Sequence, residues 1–416
     1  MNNWQHLFNN TADLAVHLKK PYLRYDNKEK EVTNFVFDDR ANLIWAGDTY
    51  GCMTAYNPNF QMYTRYKAHI GNVKVNDILP MRDGVLSLSD DSLHMSNRRG
   101  VTLFNLTSAD VSTFNGLQTM TTLSPENETQ IYCAGEITSS GITGIDLNKA
   151  AVSNLIYYPN KVKFMKSNSK LITIGQRSGN IDLLDHNSNQ VIRSFNGHSE
   201  TISSIDVRGH TLITTGTSRR FTSSFSDPFV NVYDLRIMKQ LTPISFSKGT
   251  TMGSGGADFA ELHPVLPTVM IVGSCSGAFD FVDLSNPALR TQYVHPGQEI
   301  RSLKISPNGN YMGVLEIDNH ASLWSRTVTT PTIFTNTQEL LEYPDFPDDK
   351  MFPSLVPVDD YNFPLSTIGL PYYHERLLSA WSPVVFDSDG TIPPKIDTNS
   401  LPLASEKQIN NKTHLT

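Results

Sequence analysis

Along its first 340 residues the chain repeats one arrangement of polar and apolar positions: a small residue or glycine, a polar turn, then an alternating strand that ends near Asp or Asn. The pattern occurs at Gly47–Asn57, Ser89–Asn97, Gly135–Asp146, Gly175–Asp185, Phe225–Asp234, Gly273–Asp283 and Glu316–Ser325. With the last residue of each as a marker, successive steps are 40, 49, 39, 49, 49 and 42 residues. Further strands precede these markers. Glu31–Asp38 and Asn42–Gly47 are both rich in aromatic and β-branched residues and are divided by a polar turn. The pairs Thr201–Val207 with Thr211–Thr215 and Phe259–His263 with Thr268–Gly273 follow the same plan.

A period of this size brackets the roughly 40–45 residues of a four-stranded WD40 propeller blade, with loop insertions accounting for the longer steps. Gly197-His198 stands where such a repeat carries its Gly-His pair, and Ala68-His69 is a degenerate copy. The Trp-Asp pair survives only as Tyr233-Asp234, so period rather than motif carries the count of seven. The expectation is an all-β, seven-bladed propeller over residues 1–340. One blade leaves its sheet faces uncovered, so the ring must close. Tyr22–Tyr25 or neighbouring residues are expected to donate the closing strand, after a short helix over Asp13–Lys19. Removing the first ~30 residues is then expected to destabilise the whole domain; a truncated chain that melts like the intact one would exclude closure.

Charge separates a second region. The chain carries −7 overall, and residues Leu341–Thr416 hold 11 acidic and 5 basic residues, leaving −1 for the first 340. That tail also contains 10 of the 23 prolines, which forbids a regular sheet or long helix. Residues 341–416 are therefore read as an extended acidic linker. A near-neutral domain with an acidic tail lacks the basic footprint of a protein that binds nucleic acid through charge alone. Three widely spaced cysteines, Cys52, Cys133 and Cys275, offer neither a disulfide framework nor a metal knuckle. No apolar run approaches the ~20 residues of a membrane span, and the first ten residues lack the features of a secretion signal. A soluble, reduced, intracellular protein is expected.

Catalytic constellations are sparse. Lys248–Gly256 is glycine-rich but lacks the Gly-Lys-Ser/Thr ending of a phosphate loop, and reads as an inter-strand loop. Cys275 reads as an inert thiol buried in an apolar strand, and His69 and His198 as strand–turn hydrogen-bonding residues. Asp48, Asp90, Asp91, Asp182 and Asp280 recur near blade turns, as structural acids do, whereas a catalytic pair need occur only once. Arg98-Arg99 reads as a solvated turn. Two insertions, Thr217–Phe229 and Ser247–Asp258, belong to connection types that emerge on one propeller face. Arg219, Arg220, Phe221 and Lys248 are therefore candidates for a shared contact patch, against the plainer reading of solvated variable loops.

The tail keeps Tyr343, Phe346, Tyr372, Tyr373, Trp381 and Phe386 among its aromatics, where a plain spacer would have few. Pro371–Trp381 reads as a short helix, with Tyr373, Leu377 and Trp381 on one face and Leu378 beside them. These side chains are read as anchors for a partner's grooves, the alternative being a helix that caps the propeller.

The strings Asp227–Arg236, Ser245–Phe259 and Leu289–Pro296, with Arg40–Cys52, Phe334–Thr337 and the tail element just named, closely resemble the catalytic subunit of the PAN poly(A)-nuclease deadenylation complex, of budding-yeast type. The resemblance spans essentially the whole chain. It implies an N-terminal propeller and linker, followed in family members by a hydrolase-like domain without catalytic residues and a metal-dependent 3′–5′ exonuclease. This chain stops after the linker, so Mg²⁺ and the nuclease carboxylates are expected to be absent, and no cofactor is expected. The resemblance further implies a cytoplasmic, non-catalytic scaffold. Its linker, roughly Tyr343–Phe386, would wrap a homodimer of the pseudokinase subunit, and its propeller would help recognise poly(A) coated with poly(A)-binding protein. Direct RNA contact is left open. Two rival readings are a ubiquitin-ligase substrate receptor, for which Tyr233-Asp234-Leu235-Arg236 is the sole motif, and a propeller hydrolase.

Overall fold

The computed structural model describes residues 15–325, apart from 22–30, 125–126, 138–140, 169, 221, 247–255, 289, 295–298 and 310. Among the described residues the strands form seven antiparallel sheets. Blade 1 runs from its innermost strand outwards as Val32–Phe37, Ile44–Asp48, Cys52–Tyr56 and Met62–Lys67. Blades 2, 3, 4 and 6 follow the same order over 77–107, 117–156, 162–196 and 259–294. Blade 5, over 202–245, adds two short strands to its four. The sequence markers fall at or beside the ends of the third strands, such as Asn180–Asp185 and Ala278–Asp283. This is why their spacing yields the correct number of blades.

Third strands are buried almost throughout, because each is covered by a neighbouring blade on both faces. The apolar core accordingly divides into seven clusters, one at each junction of the ring. Phe35, Phe37 and Ile44 of blade 1 meet Tyr311, Leu315 and Leu323 of blade 7, so the last junction is packed like the others. Polar contacts cross it too: the Val32 N–H donates to Asn319 Oδ1 at 3.0 Å, and Arg301 Nη1 donates to the Val32 carbonyl at 2.6 Å.

Blade 7 is completed from the other end of the chain. Its own strands are Ile300–Ile305, Tyr311–Glu316 and His320–Ser325, and Ala15–Pro21 forms its outer strand. The pairing runs from Ala15 opposite Ser325 to Pro21 opposite His320, with a register shift between Val16 and Leu18. Closure by residues next to Tyr22–Tyr25 matches expectation, but the helix expected before them does not. The segment expected to be helical supplies the strand, and the expected donor Tyr22–Tyr25 lies outside the described residues. The physical reason is the partner: the open edge of His320–Ser325 offers a row of backbone groups that outweighs a weak local preference for helix.

In several blades the polar turn before the third strand has a conformational basis. Gly51, Gly179 and Gly277 adopt positive φ there, and Asn319 takes the same role in blade 7. The Gly179 carbonyl accepts the N–H groups of Gly197 and His198 at 3.2 and 3.0 Å, and the Gly51 carbonyl accepts those of Ala68 and His69 at 2.9 and 3.2 Å. Ala68-His69 is thus the structural equivalent of Gly197-His198.

Candidate functional site

The second strand of blade 5, Thr211–Arg220, runs on past its pairing with the third strand and folds back as Ser223–Ser226. Thr217 pairs with Ser226 and Arg220 with Ser223, so the first insertion is a projecting hairpin. Arg219 is exposed, its N–H held by Ser199 Oγ at 2.8 Å and its Nε 3.9 Å from Glu200. The base of the hairpin meets the end of the second insertion: Ser226 Oγ donates to Asp258 Oδ1 at 2.6 Å, and the Ala257 N–H to the Asp227 carbonyl at 2.9 Å. Gly256 lies so close to Ser226 that an added Cβ would fall 2.2 Å from it. Phe221 and Lys248 lie outside the described residues, as do the tail anchors Tyr343, Phe346, Tyr372, Tyr373, Leu377, Leu378, Trp381 and Phe386. Sequence reasoning missed two aromatics on this face, Phe225 and Phe229, which are 40% and 46% exposed. Both sit in the insertion it had singled out, but alternation alone does not tell which side of a hairpin faces water.

Beneath this face lie buried polar chains. His198 is 3.2 Å from Thr214 Oγ1 through Nε2 and 3.3 Å from Asp227 Oδ2 through Nδ1. The order hydroxyl–imidazole–carboxylate is that of an acyl-transfer triad. Thr214 is fully buried, however, so no substrate reaches it, and the chain ties the blade's turn to its second strand. In blade 2, His69 Nδ1 meets Ser92 Oγ at 2.8 Å, Ser92 meets Ser89 at 2.7 Å, and Ser89 donates to Asp91 at 3.1 Å. Burial, then the neighbouring His94 and Lys67, push the His69 imidazole down to about 3. Burial pushes His94 down to about 4. His69 is therefore a neutral hydrogen-bonding residue, as its place in the repeat suggested, and His94 behaves alike.

Two expectations are overturned here. Arg98 is not solvated but 1% exposed. It grips Asp38 of blade 1 through Nε at 2.8 Å and Nη2 at 2.9 Å, and donates to the carbonyls of Met81 and Arg82. Trp45 Nε1 adds a third side-chain donor to Asp38 at 3.0 Å. Cys275 is not buried in a strand but exposed in the turn before Ala278–Asp283, its N–H held by Asp258 Oδ2 at 2.7 Å. Desolvation of its sulfur, then the Asp258 carboxylate, push the thiol up to about 12, far from a nucleophile's range.

The recurring carboxylates occupy separate blades. Asp48 stands 3.6 Å from the buried Arg65, and Asp182 accepts from Tyr158 and Gln176 at 2.6 and 2.7 Å. Asp280 lies 3.9 Å from Arg290, and burial raises its carboxyl to about 6. Asp90 and Asp91 are both exposed in one turn, where Asp90 Oδ1 accepts from Asn76 Nδ2 at 2.6 Å. A different set, unforeseen from the sequence, stitches the innermost strands together. Asp77 accepts the Met120 N–H at 2.9 Å, Asp206 that of Leu262 at 2.8 Å, and Glu261 that of Ile305 at 3.1 Å. Each acid holds the next blade's inner strand, so the set is a structural belt.

These features define a seven-bladed propeller of WD40 type, a rigid scaffold whose exposed chemistry lies on its faces. A family model described as PAN2 N-terminal matches residues 29–295, and the chain belongs to that family. The PAN2-PAN3 deadenylation complex catalytic subunit PAN2 of Saccharomyces cerevisiae is 56% identical over 410 residues, covering 99% of this chain and 37% of that protein. The subunits of the same description from Eremothecium gossypii and Kluyveromyces lactis are each 50% identical, over 95% and 99% of this chain and 34% and 36% of theirs. The chain thus spans little more than a third of the length of the curated relatives it matches. The solved Neurospora crassa Pan2 WD40 domain superposes with a TM-score of 0.70 at 21% identity, over 78% of this chain and 99% of that one. That likeness establishes the fold.

Proposed function

We propose that the chain is the non-catalytic scaffold region of a poly(A)-specific 3′–5′ exoribonuclease in cytoplasmic mRNA deadenylation. The observation that carries this reading is the 56% identity over 99% of the chain to a relative described as the catalytic subunit of a PAN2-PAN3 complex. The match is long enough to extend through the acidic tail. In this reading residues 341–416 capture a pseudokinase homodimer, with Tyr343, Phe346, Tyr372, Tyr373, Leu377, Leu378, Trp381 and Phe386 as anchors. The propeller helps recognise poly(A) coated with poly(A)-binding protein, and Arg219, Arg220, Phe221 and Lys248 are its contact candidates. The chain holds no cofactor of its own; Mg²⁺ belongs with a nuclease domain elsewhere.

A pull-down of the chain, and of a version ending at Leu340, against the pseudokinase subunit tests the assignment. Capture by the first and not the second supports it, and equal capture by both moves the binding to the propeller. Trp381→Ala is expected to weaken that binding by roughly 2–4 kcal/mol, the range for a central aromatic anchor; unchanged affinity by calorimetry rejects Trp381. Incubation with poly(A) and Mg²⁺ should leave the RNA uncut, and robust trimming would show a nuclease site within the chain. No observation favours the ligase reading. Tyr233 is buried against Phe195, and Asp234 is taken up by Arg236 of its own turn.

A further inference from the structure

On the face formed by the first-to-second and third-to-fourth strand turns, blades 4, 5 and 6 enclose a recess of about 720 Å³. Its floor is apolar, made by Leu171, Leu235, Met238 and Pro264. Its rim carries Lys170, Arg208, Arg236 and the imidazole of His210, and among the described residues no carboxylate and no Phe, Tyr or Trp ring lines it. We propose that this recess docks an acidic peptide segment of a partner protein, with an apolar side chain entering the floor and carboxylates meeting the rim.

Three observations favour that occupant. The walls are tied together before any ligand arrives: Asn168 Nδ2 of blade 4 donates to the Gly209 carbonyl of blade 5 at 3.1 Å, and Arg208 Nε donates to the Leu262 carbonyl of blade 6 at 3.0 Å. A fixed recess loses little conformational entropy on binding. The polar groups of the rim, moreover, are only partly engaged. Arg236 holds Asp234 at 2.7 Å, and Arg208 lies 3.8 Å from Asp206, whose Oδ2 already accepts the Leu262 N–H. The Lys170 ammonium and the His210 ring make no hydrogen bond among the described residues, and both are exposed. Lastly, apolar surface continues past the rim at Ile237 and Val265, which are 56% and 51% exposed. Single-stranded nucleic acid would instead call for aromatic platforms and an extended cationic groove, and neither lines this recess.

The test is fluorescence anisotropy on the full chain with a labelled peptide alternating aspartate and leucine. A peptide with lysine for aspartate, an oligoadenylate and inorganic phosphate serve as the other probes. The acidic peptide should saturate, weaken with salt, and lose at least about tenfold in affinity on Lys170→Glu with Arg208→Glu, a difference of ~1.4 kcal/mol. Because Arg208 also braces blade 6, His210→Glu serves as a second variant at an exposed turn, and should weaken binding in the same direction. Three results would overturn the proposal: no saturable binding of the acidic peptide, binding indifferent to these variants, or oligoadenylate binding tighter and lost with the same substitutions. Since the readout uses no pseudokinase and no poly(A)-binding protein, its failure leaves the scaffold reading untouched.

Discussion

Arg98 and Arg236 occupy equivalent places in the ring, two residues beyond the third strands Ser92–Ser96 and Phe229–Asp234. Each makes a two-pronged contact with an aspartate, yet they do opposite work. Arg98 has 1% of its side chain exposed and reaches Asp38 in the preceding blade, 60 residues away. Arg236 is 65% exposed and folds onto Asp234 in its own turn. In blade 2 the pair is a structural pin between neighbours. In blade 5 it is a local turn contact that leaves the guanidinium facing solvent. Where the partner sits, and how much water remains around it, decides whether an arginine stabilises the scaffold or decorates its surface.

The sharpest way to break this comparison is to remove one partner of each pair and follow chemical denaturation. Asp38→Ala strands a buried guanidinium and should cost about 3–5 kcal/mol. Replacing both partners, Asp38→Leu with Arg98→Met, should regain most of that loss, because desolvation of the charges disappears with them. If the single substitution leaves the midpoint unmoved, the pair is not a pin. A smaller effect is expected from acid at the same junction. His69 titrates near 6.5 when unfolded but is held near 3 in the ring, so below pH 6.5 the unfolded chain binds more protons. The stability due to the neutral ring is thus complete above that value and declines as pH falls. His69→Gln should flatten the decline between pH 6.5 and 4, and an unaltered slope would assign it to other groups. The smallest effect is expected from Arg236→Ala, whose melting curve should overlay the parent's, since water already solvates most of its charge.

This contrast also explains what is legible in the sequence. A repeat is written locally: the polar turn before each third strand and the pattern within it recur every 39–49 residues, so seven blades can be counted from spacing alone. The hairpin of blade 5 is visible as extra length. What escapes are features settled by a partner from a distant part of the chain. Ala15–Pro21 is a strand only because His320–Ser325 has an open edge. Arg98 is buried only because Asp38 faces it from another blade. Asp77 and Glu261 read as ordinary polar positions until the next blade's inner strand brings its N–H groups against them. The basic recess escapes for the same reason, since Lys170, Arg208 and Arg236 are scattered along the chain and converge only through the ring's curvature.

Closure by residues 15–21 has a consequence for biosynthesis. The strand that seals the ring leaves the ribosome first, and its mate around Ser325 leaves some three hundred residues later. At bacterial-to-eukaryotic elongation rates of ~5–20 residues per second, the wait is roughly 15–60 s. Throughout that interval the early blades are docked in an open arc with a sticky rim at each end, so nascent chains crowded on one polysome risk exchanging seals with one another.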